Sequence, residues 1–460
     1  MKRADIQGLR TVAILAVIFF HIWPTYFPSG FLGVDIFFAI SGHLITKCLI
    51  NIGTNVQFSN EILNFYKNRI KRIVPIYLLI IFTTASFVRI LMNETDFKRT
   101  TETYYWTLGF AMNIKVAFFN PTPDSLFTYS PYLHAWSLGA EMQFYILAPL
   151  LVFVINIFEN SSILSSIITR KKIKLFALYF ILLSLSFYTQ QISSMRTVGY
   201  GFLFCRLWQF IVGIISYLIR KIDDSNNNEN EGELNERELL LNSQYDDVDE
   251  TNDNNINCKE KMTHEYSSKS LSEISFRLMH QQYFSINIWK SYFVLFNYTF
   301  IWAARSGPST FGGGNWPLIK PYQSISVVIL TFIILYGKQY EDNLILTNKL
   351  MVWLGDISYV IYLVHYPIIT FIKYFFKINE FSFKMGIAII LPTFVISCVF
   401  DFIDKKIRKI QNFKLLILII GILYALCLFQ ARSLNYEGLV NQIQSIINKQ
   451  GGFIMEAIRI

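Results

Sequence analysis

The chain has 460 residues, of which 53% are hydrophobic and only 16% charged, with a mean hydropathy of +0.37. Soluble domains carry about 25% charged residues, so much of this surface must face a solvent other than water. The net charge is +9, but the basic residues cluster in short loops between apolar runs, which reads as membrane topology and excludes a nucleic-acid footprint.

In chain order, eleven apolar runs are long enough to span lipid. They lie at about 9–27, 30–50, 74–92, 134–158, 173–190, 198–219, 288–304, 322–338, 353–376, 385–403 and 414–431. The expected fold is all-α, a polytopic transmembrane helix bundle of about ten core helices plus an eleventh. The first run has no small-residue cleavage site after it and is read as a retained span. A weaker stretch at 104–119 carries Asn113 and Lys115 and is not expected to cross. Loop charges decide the count. With Lys2 and Arg3 in the cytoplasm and 104–119 outside the count, the clusters Lys67–Arg72, Arg170–Lys174 and Lys405–Lys409 all fall inside. The tail 432–460 and the sequon Asn93-Glu94-Thr95 then fall on the other side. The host membrane, plasma or endomembrane, is not encoded in any recognisable signal.

Residues 223–273 hold 15 acidic and 4 basic residues. The surrounding segment 222–285 is rich in Asn, Asp, Glu and Ser and is expected to be a disordered cytoplasmic insertion. It divides the main transmembrane domain, 1–405, without making a second one; 406–431 supplies the extra helix. The five cysteines are scattered without metal-ligand spacing, and no metal is implied.

Ionisable groups at bilayer depth cost a few kcal/mol, about 2.5–3.5 on insertion scales, so each needs a reason. Arg10 and His21 stand eleven residues apart, about three helical turns, on one face of the first span. Each also has a bland reading, as a snorkelling anchor and a capped interfacial histidine. Asp35 opens the second span close to where His21 ends the first, and a carboxylate there could orient an imidazole base or simply cap a helix. Ser41 and Gly42 suit close helix packing. Arg69 and Arg72, three apart at the mouth of the third span, match phosphate oxygens such as those of coenzyme A, or serve as ordinary topology charge. Ser137, Glu141 and Tyr145 recur every four residues in the run that begins at His134, and an intramembrane Glu so flanked is hard to explain as packing. His365, with Ser358 and Tyr362 on about the same side, and His43 are read as structural histidines.

Five stretches, in this order, resemble the acyltransferase-3 family of integral-membrane O-acyltransferases. They are DIQGLRTVAILAVIFFH (5–21), GFLGVDIFFAISGHLIT (30–46), RIKRIVP (69–75), HAWSLGAEMQFYILAP (134–149) and GDISYVIYLVHYP (355–367). The resemblance covers about residues 1–405. It implies transfer of an acyl group, commonly acetyl, from acyl-CoA to a hydroxyl of a carbohydrate or lipid acceptor. The family's essential arginine and histidine of the first helix match Arg10 and His21, its paired arginines Arg69 and Arg72, and its acidic residues Asp35 and Glu141. Position 43 departs from the pattern, being His where an aromatic or aliphatic residue is usual. Many relatives continue past the eleventh helix into an SGNH-type domain, whereas 29 residues follow it here, so the expectation is either a member without that domain or an incomplete sequence, and the acidic insertion suggests a eukaryotic, nematode-like member. The resulting expectation is that Arg69, Arg72 and Arg10 bind acyl-CoA and that His21 acts as general base, oriented by Asp35 or Glu141; a covalent acyl relay is the variant. The alternatives are an ion- or proton-coupled transporter, which predicts internal repeats that the sequence does not show, and an inactive acyl-CoA-binding relative.

Overall fold

The computed structural model describes residues 3–50, 58–119, 130–160, 168–192, 196–246, 321–337, 346–378 and 380–432. Two compact units emerge, Met1–Tyr217 with Gly307–Ile460 and Leu218–Ser306; everything below concerns the first unless stated.

The described residues are helical, without strands. The helices are α1 (Ala4–Ile22), α2 (Gly33–Leu49), α3 (Phe58–Leu91), α4 (Glu94–Leu108), α5 (Met112–Phe118), α6 (Ala135–Asn160), α7 (Ile168–Ile192), α8 (Arg196–Gly201), α9 (Leu203–Asp246), α10 (Pro321–Tyr336), α11 (Lys349–Phe376), α12 (Phe383–Arg408) and α13 (Phe413–Arg432). Among the described residues, eight helical segments are long and apolar enough to cross a membrane, and α7 and α10 contribute shorter apolar runs, Phe176–Ile192 and Gln323–Tyr336. Ten of the eleven expected spans therefore have a helix, and the eleventh, 288–304, lies outside the described residues. The stretch 104–119 forms no single helix. It breaks between α4 and α5 at Gly109–Ala111, where Phe110 takes the left-handed backbone (φ 52°).

The chain is a multi-pass membrane protein, and its outward face shows why water would not suit it. On α12, Leu391, Val395, Val399 and Phe402 are 57–69% exposed and fall on one side at helical spacing. On α7, Phe180, Ile181, Leu185 and Ile192 are likewise exposed. Apolar surface this continuous requires lipid.

At the start of the insertion, expected from 222, α9 continues to Asp246. The stretch Glu-Gly-Glu-Leu-Asn-Glu-Arg-Glu-Leu-Leu-Leu (231–241) is rich in strong helix formers, which outweighs its low hydrophobicity. Residues 247–285, like the tail 433–460, lie outside the described residues.

The frame of the site is set by two close helix pairs. α1 and α11 run parallel and almost in backbone contact. A methyl group at Gly355 would fall 2.0 Å from the Gln7 carbonyl oxygen, and one at Gly8 2.0 Å from that of Leu346. Thr11 donates to the Met351 carbonyl at 2.5 Å across this seam. On the other side of the bundle Gly42 of α2 meets Phe210 of α9, as its small size predicts. Arg3 anchors the start of α1. It pairs with Asp5 at 2.6 Å and donates to the Ile334 and Leu335 carbonyls, both at 2.8 Å, at the C-terminal end of α10, where a cation suits the helix dipole. Side-chain caps fix the starts of α4 (Asn93), α11 (Asn348) and α12 (Ser382).

Candidate active site

Because α1 lies so close to α11, Arg10 and His21 both stand beside that helix, but at two different levels. Arg10 opens into a cavity of about 810 Å³, counting its mouth, formed by α1, α2, α3, α6 and α11. His21 lies three turns further on, against His365 and Tyr366.

The cavity gathers Arg10, Arg69 and Arg72 with a single lining carboxylate, Glu141. Ser41 donates to Glu141 Oε1 at 2.5 Å, and Tyr145 also donates to it. Ser137, Glu141 and Tyr145, predicted to share a face of α6, all line the cavity. Arg69 lies against the Phe65 and Tyr145 rings, each 5.6 Å from its guanidinium carbon, where the ring faces attract a cation. Arg10 Nε is buried and makes no hydrogen bond. Asp356 stands within electrostatic range of Arg10, outside the lining. With three arginines against one carboxylate, the described lining carries a net of two positive charges and is chemically suited to a polyanion such as a phosphate ester.

The second level is a cluster of rings, with no carboxylate against His21 among the described residues. His21, half-buried at the end of α1, lies 5.5 Å from His365 and 4.8 Å from Tyr366, centroid to centroid. His134, in the turn that starts α6, lies 6.0 Å from His365 and 5.3 Å from Tyr366. Tyr362 belongs to both levels. It lines the arginine cavity, packs 5.8 Å from His134 and 5.5 Å from His365, and its hydroxyl bonds the His134 carbonyl at 3.0 Å and the Ser137 hydroxyl at 2.5 Å.

Neither expected carboxylate orients His21. Asp35 turns away from α1. Gly33 is the residue of α2 that faces α1, so close that a methyl there would fall 2.3 Å from the Ala13 carbonyl oxygen. Two residues on, about 200° around the helix, Asp35 points to the opposite side. There it pairs with Arg206 at 3.0 Å, both side chains 1% exposed, and accepts from Ser324. Glu141 sits six residues into α6, about 9 Å along its axis, at the level of the arginines.

Residues 3–403 match the model of the acyltransferase-3 family, described as an acyltransferase domain. The chain belongs to the acyltransferase-3 family. Among its curated relatives, the O-acetyltransferase OatA of Staphylococcus aureus (strain NCTC 8325 / PS 47) is 33% identical over 167 residues, which cover 35% of this chain and 27% of that protein. The putative peptidoglycan O-acetyltransferase YrhL of Bacillus subtilis (strain 168) is 34% identical over 153 residues, 32% of this chain and 23% of the relative. The putative O-acetyltransferase SACOL0978 of S. aureus (strain COL) is 32% identical over 149 residues, 32% and 24% of the two chains. The aligned region thus spans about a quarter of each of these relatives. No solved structure matches the chain.

Within this acyltransferase-3 domain the sequence reading missed Arg206. Its signal was present, an arginine inside the apolar run Leu203–Phe210. Its guanidinium packs on Tyr200 (4.9 Å) and Trp136 (5.5 Å) and donates to the Tyr200 carbonyl at 2.9 Å. The reading also gave His134 no role and kept His365 structural. His43 is structural, with Nδ1 2.8 Å from the Ser216 hydroxyl. Among the described residues no group of three or more His, Cys, Asp or Glu side chains is arranged to hold a metal ion.

Proposed function

We propose that the protein is a membrane O-acyltransferase that moves an acyl group, acetyl by preference, from cytoplasmic acyl-CoA to a hydroxyl of a carbohydrate or lipid acceptor. One observation carries the reading: a cavity lined by three arginines is joined, through the shared side chain of Tyr362, to a buried cluster of histidines. Arg10, Arg69 and Arg72 bind the donor's phosphates by charge-assisted hydrogen bonds. The thin pantetheine arm passes Tyr362 and brings the thioester to His21. His21 takes the proton of the acceptor hydroxyl, the oxygen attacks the thioester carbonyl carbon, and the tetrahedral intermediate collapses. The carbon–sulfur bond breaks, the ester forms, and the leaving thiolate takes up the proton as free coenzyme A. Placing the anion site and the base at different depths suits a long donor whose charged and reacting ends are far apart.

The test is mass spectrometry of products after purified protein, in detergent or nanodiscs, is incubated with acetyl-CoA and carbohydrate or lipid acceptors. A product heavier by one acetyl group and dependent on His21 is expected. Full transfer by a well-folded His21→Ala variant would overturn the base assignment. Absence of transfer, combined with substrate uptake in vesicles, would point to a transporter instead.

A further inference from the structure

The ring cluster around His21 has a property the proposed chemistry does not yet use. A histidine base needs a partner that fixes its tautomer, so that its lone pair faces the substrate. The carboxylates that could do this are committed elsewhere, Asp35 to Arg206 and Glu141 to Ser41 and Tyr145. The neighbours that His21 does have are His365, His134, Tyr366 and, about two turns further along α11, Lys373.

His365 is fully buried, and its Nδ1 lies 3.1 Å from the Ile361 carbonyl oxygen. A carbonyl only accepts, so Nδ1 carries the hydrogen and Nε2 of the neutral ring is a lone-pair acceptor. That Nε2 is buried and has no hydrogen-bond partner. Leaving such a group unsatisfied costs about 1–3 kcal/mol, so an acceptor kept in this position calls for a use. The nitrogens of an imidazole stand roughly 1.1 Å from its centre. With the ring centres 5.5 Å apart, the nitrogens come within about 3.3 Å, at the edge of hydrogen-bonding distance, when the two rings turn to face each other.

We propose that His365 is the positioning residue of His21. Its Nε2 accepts the N–H of His21, fixes the tautomer that leaves the second His21 nitrogen free for the acceptor hydroxyl, and shares the positive charge once that proton has been taken. A neutral imidazole does here what a carboxylate does in a Ser-His-Asp triad, without placing a formal negative charge beside the acyl site. His134 backs the pair. Its ring is buried and lies 6.0 Å from that of His365. This proposal rests on the acyl-transfer reading.

Two measurements on the full-length protein test it. The first needs no activity: long-range proton–nitrogen NMR of histidine-labelled protein in detergent, with His365→Phe to assign the signal. The expected His365 form is the neutral Nδ1–H tautomer, with the His21 resonances moving in the variant. An Nε2–H tautomer at His365 would overturn the proposal whether or not transfer is observed. The second is kinetic. His365→Phe keeps a planar ring but removes both nitrogens, and kcat is expected to fall about 100-fold with the donor KM unchanged. His365→Gln puts an amide oxygen near the Nε2 position and is expected to recover at least tenfold of that loss. Equal losses in the two variants, or a His365→Phe enzyme as fast as wild type, would overturn the positioning role. If wild type transfers and His21→Ala does not, such a result leaves the general reading intact. If wild type itself transfers nothing, the general reading falls, and this one with it.

Discussion

The Arg206–Asp35 pair offers a sharp quantitative test, because it decides whether Asp35 serves the scaffold or the reaction. Both side chains are 1% exposed and 3.0 Å apart. Breaking a buried pair by removing one partner costs about 3–5 kcal/mol, since the other charge stays buried without its counter-ion. Arg206→Met leaves the Asp35 carboxylate with the Ser324 hydroxyl, and Asp35→Asn leaves the guanidinium with the Tyr200 carbonyl and two aromatic faces. Each single variant should therefore lose about 3–5 kcal/mol. The double variant removes both charges together and should lose no more than either single, giving a coupling of about 3 kcal/mol or above. SDS-titrated unfolding in mixed micelles, followed by tryptophan fluorescence, measures all four corners of the cycle. The double variant should also keep acyl transfer within a few-fold of wild type. Additivity within about 0.5 kcal/mol would refute the pairing. A stable double variant without transfer would return Asp35 to the chemistry.

Three further outcomes follow from the site. Gly355→Ala drives a methyl into the Gln7 carbonyl oxygen and should separate α1 from α11, at a cost of about 1–3 kcal/mol or more in the same unfolding assay; unchanged stability would mean that the seam is looser than described. Arg72→Gln removes one charge-assisted contact, about 1.5–3 kcal/mol, and should raise the acetyl-CoA KM roughly 10- to 100-fold while kcat changes far less; an unchanged KM would remove Arg72 from the donor site. Glu141→Gln deletes the one carboxylate lining the arginine cavity and should destabilise the unliganded protein by about 1–3 kcal/mol. Added coenzyme A, which supplies the missing negative charge, should then raise the melting temperature more in the variant than in wild type, and an equal shift would count against phosphate binding there.

The bundle was largely legible in advance because the two signals that specify it, apolar span length and loop charge, are local and strong. The same holds for Ser137, Glu141 and Tyr145, whose shared face follows from helical periodicity alone. What sequence could not supply was the rotation of each helix about its own axis. Asp35 and Gly33 are two residues apart, and only the packing of Gly33 against Ala13 shows that Asp35 must look away from His21. For the same reason the arginine of α9 that Asp35 needs, 171 positions later, had no visible partner in the chain order. His365 read as structural because its own helix satisfies one nitrogen; its nearness to His21 emerges only when α11 is laid beside α1. In the insertion, composition speaks to the capacity to form a core and not to the tendency of Glu and Leu to prolong a helix already begun, which is why the extension of α9 to Asp246 was not foreseen.

The α1–α11 seam also has a consequence for how the molecule is made. Thr11 and its partner Met351 are 340 residues apart. At ribosomal rates of about 5–20 residues per second, the first helix waits about 17–70 s for its neighbour. Through that interval Arg10 and His21 must be tolerated in the membrane without the wall that later encloses them, sheltered by the translocon, by lipid headgroups or by an assembly factor. A messenger cut short between residues 73 and 348 would yield a protein that inserts and carries every arginine of the cavity, yet lacks the α11 wall of the site. Nascent chains of graded length should therefore gain donor binding abruptly, as α11 clears the ribosome and closes against α1.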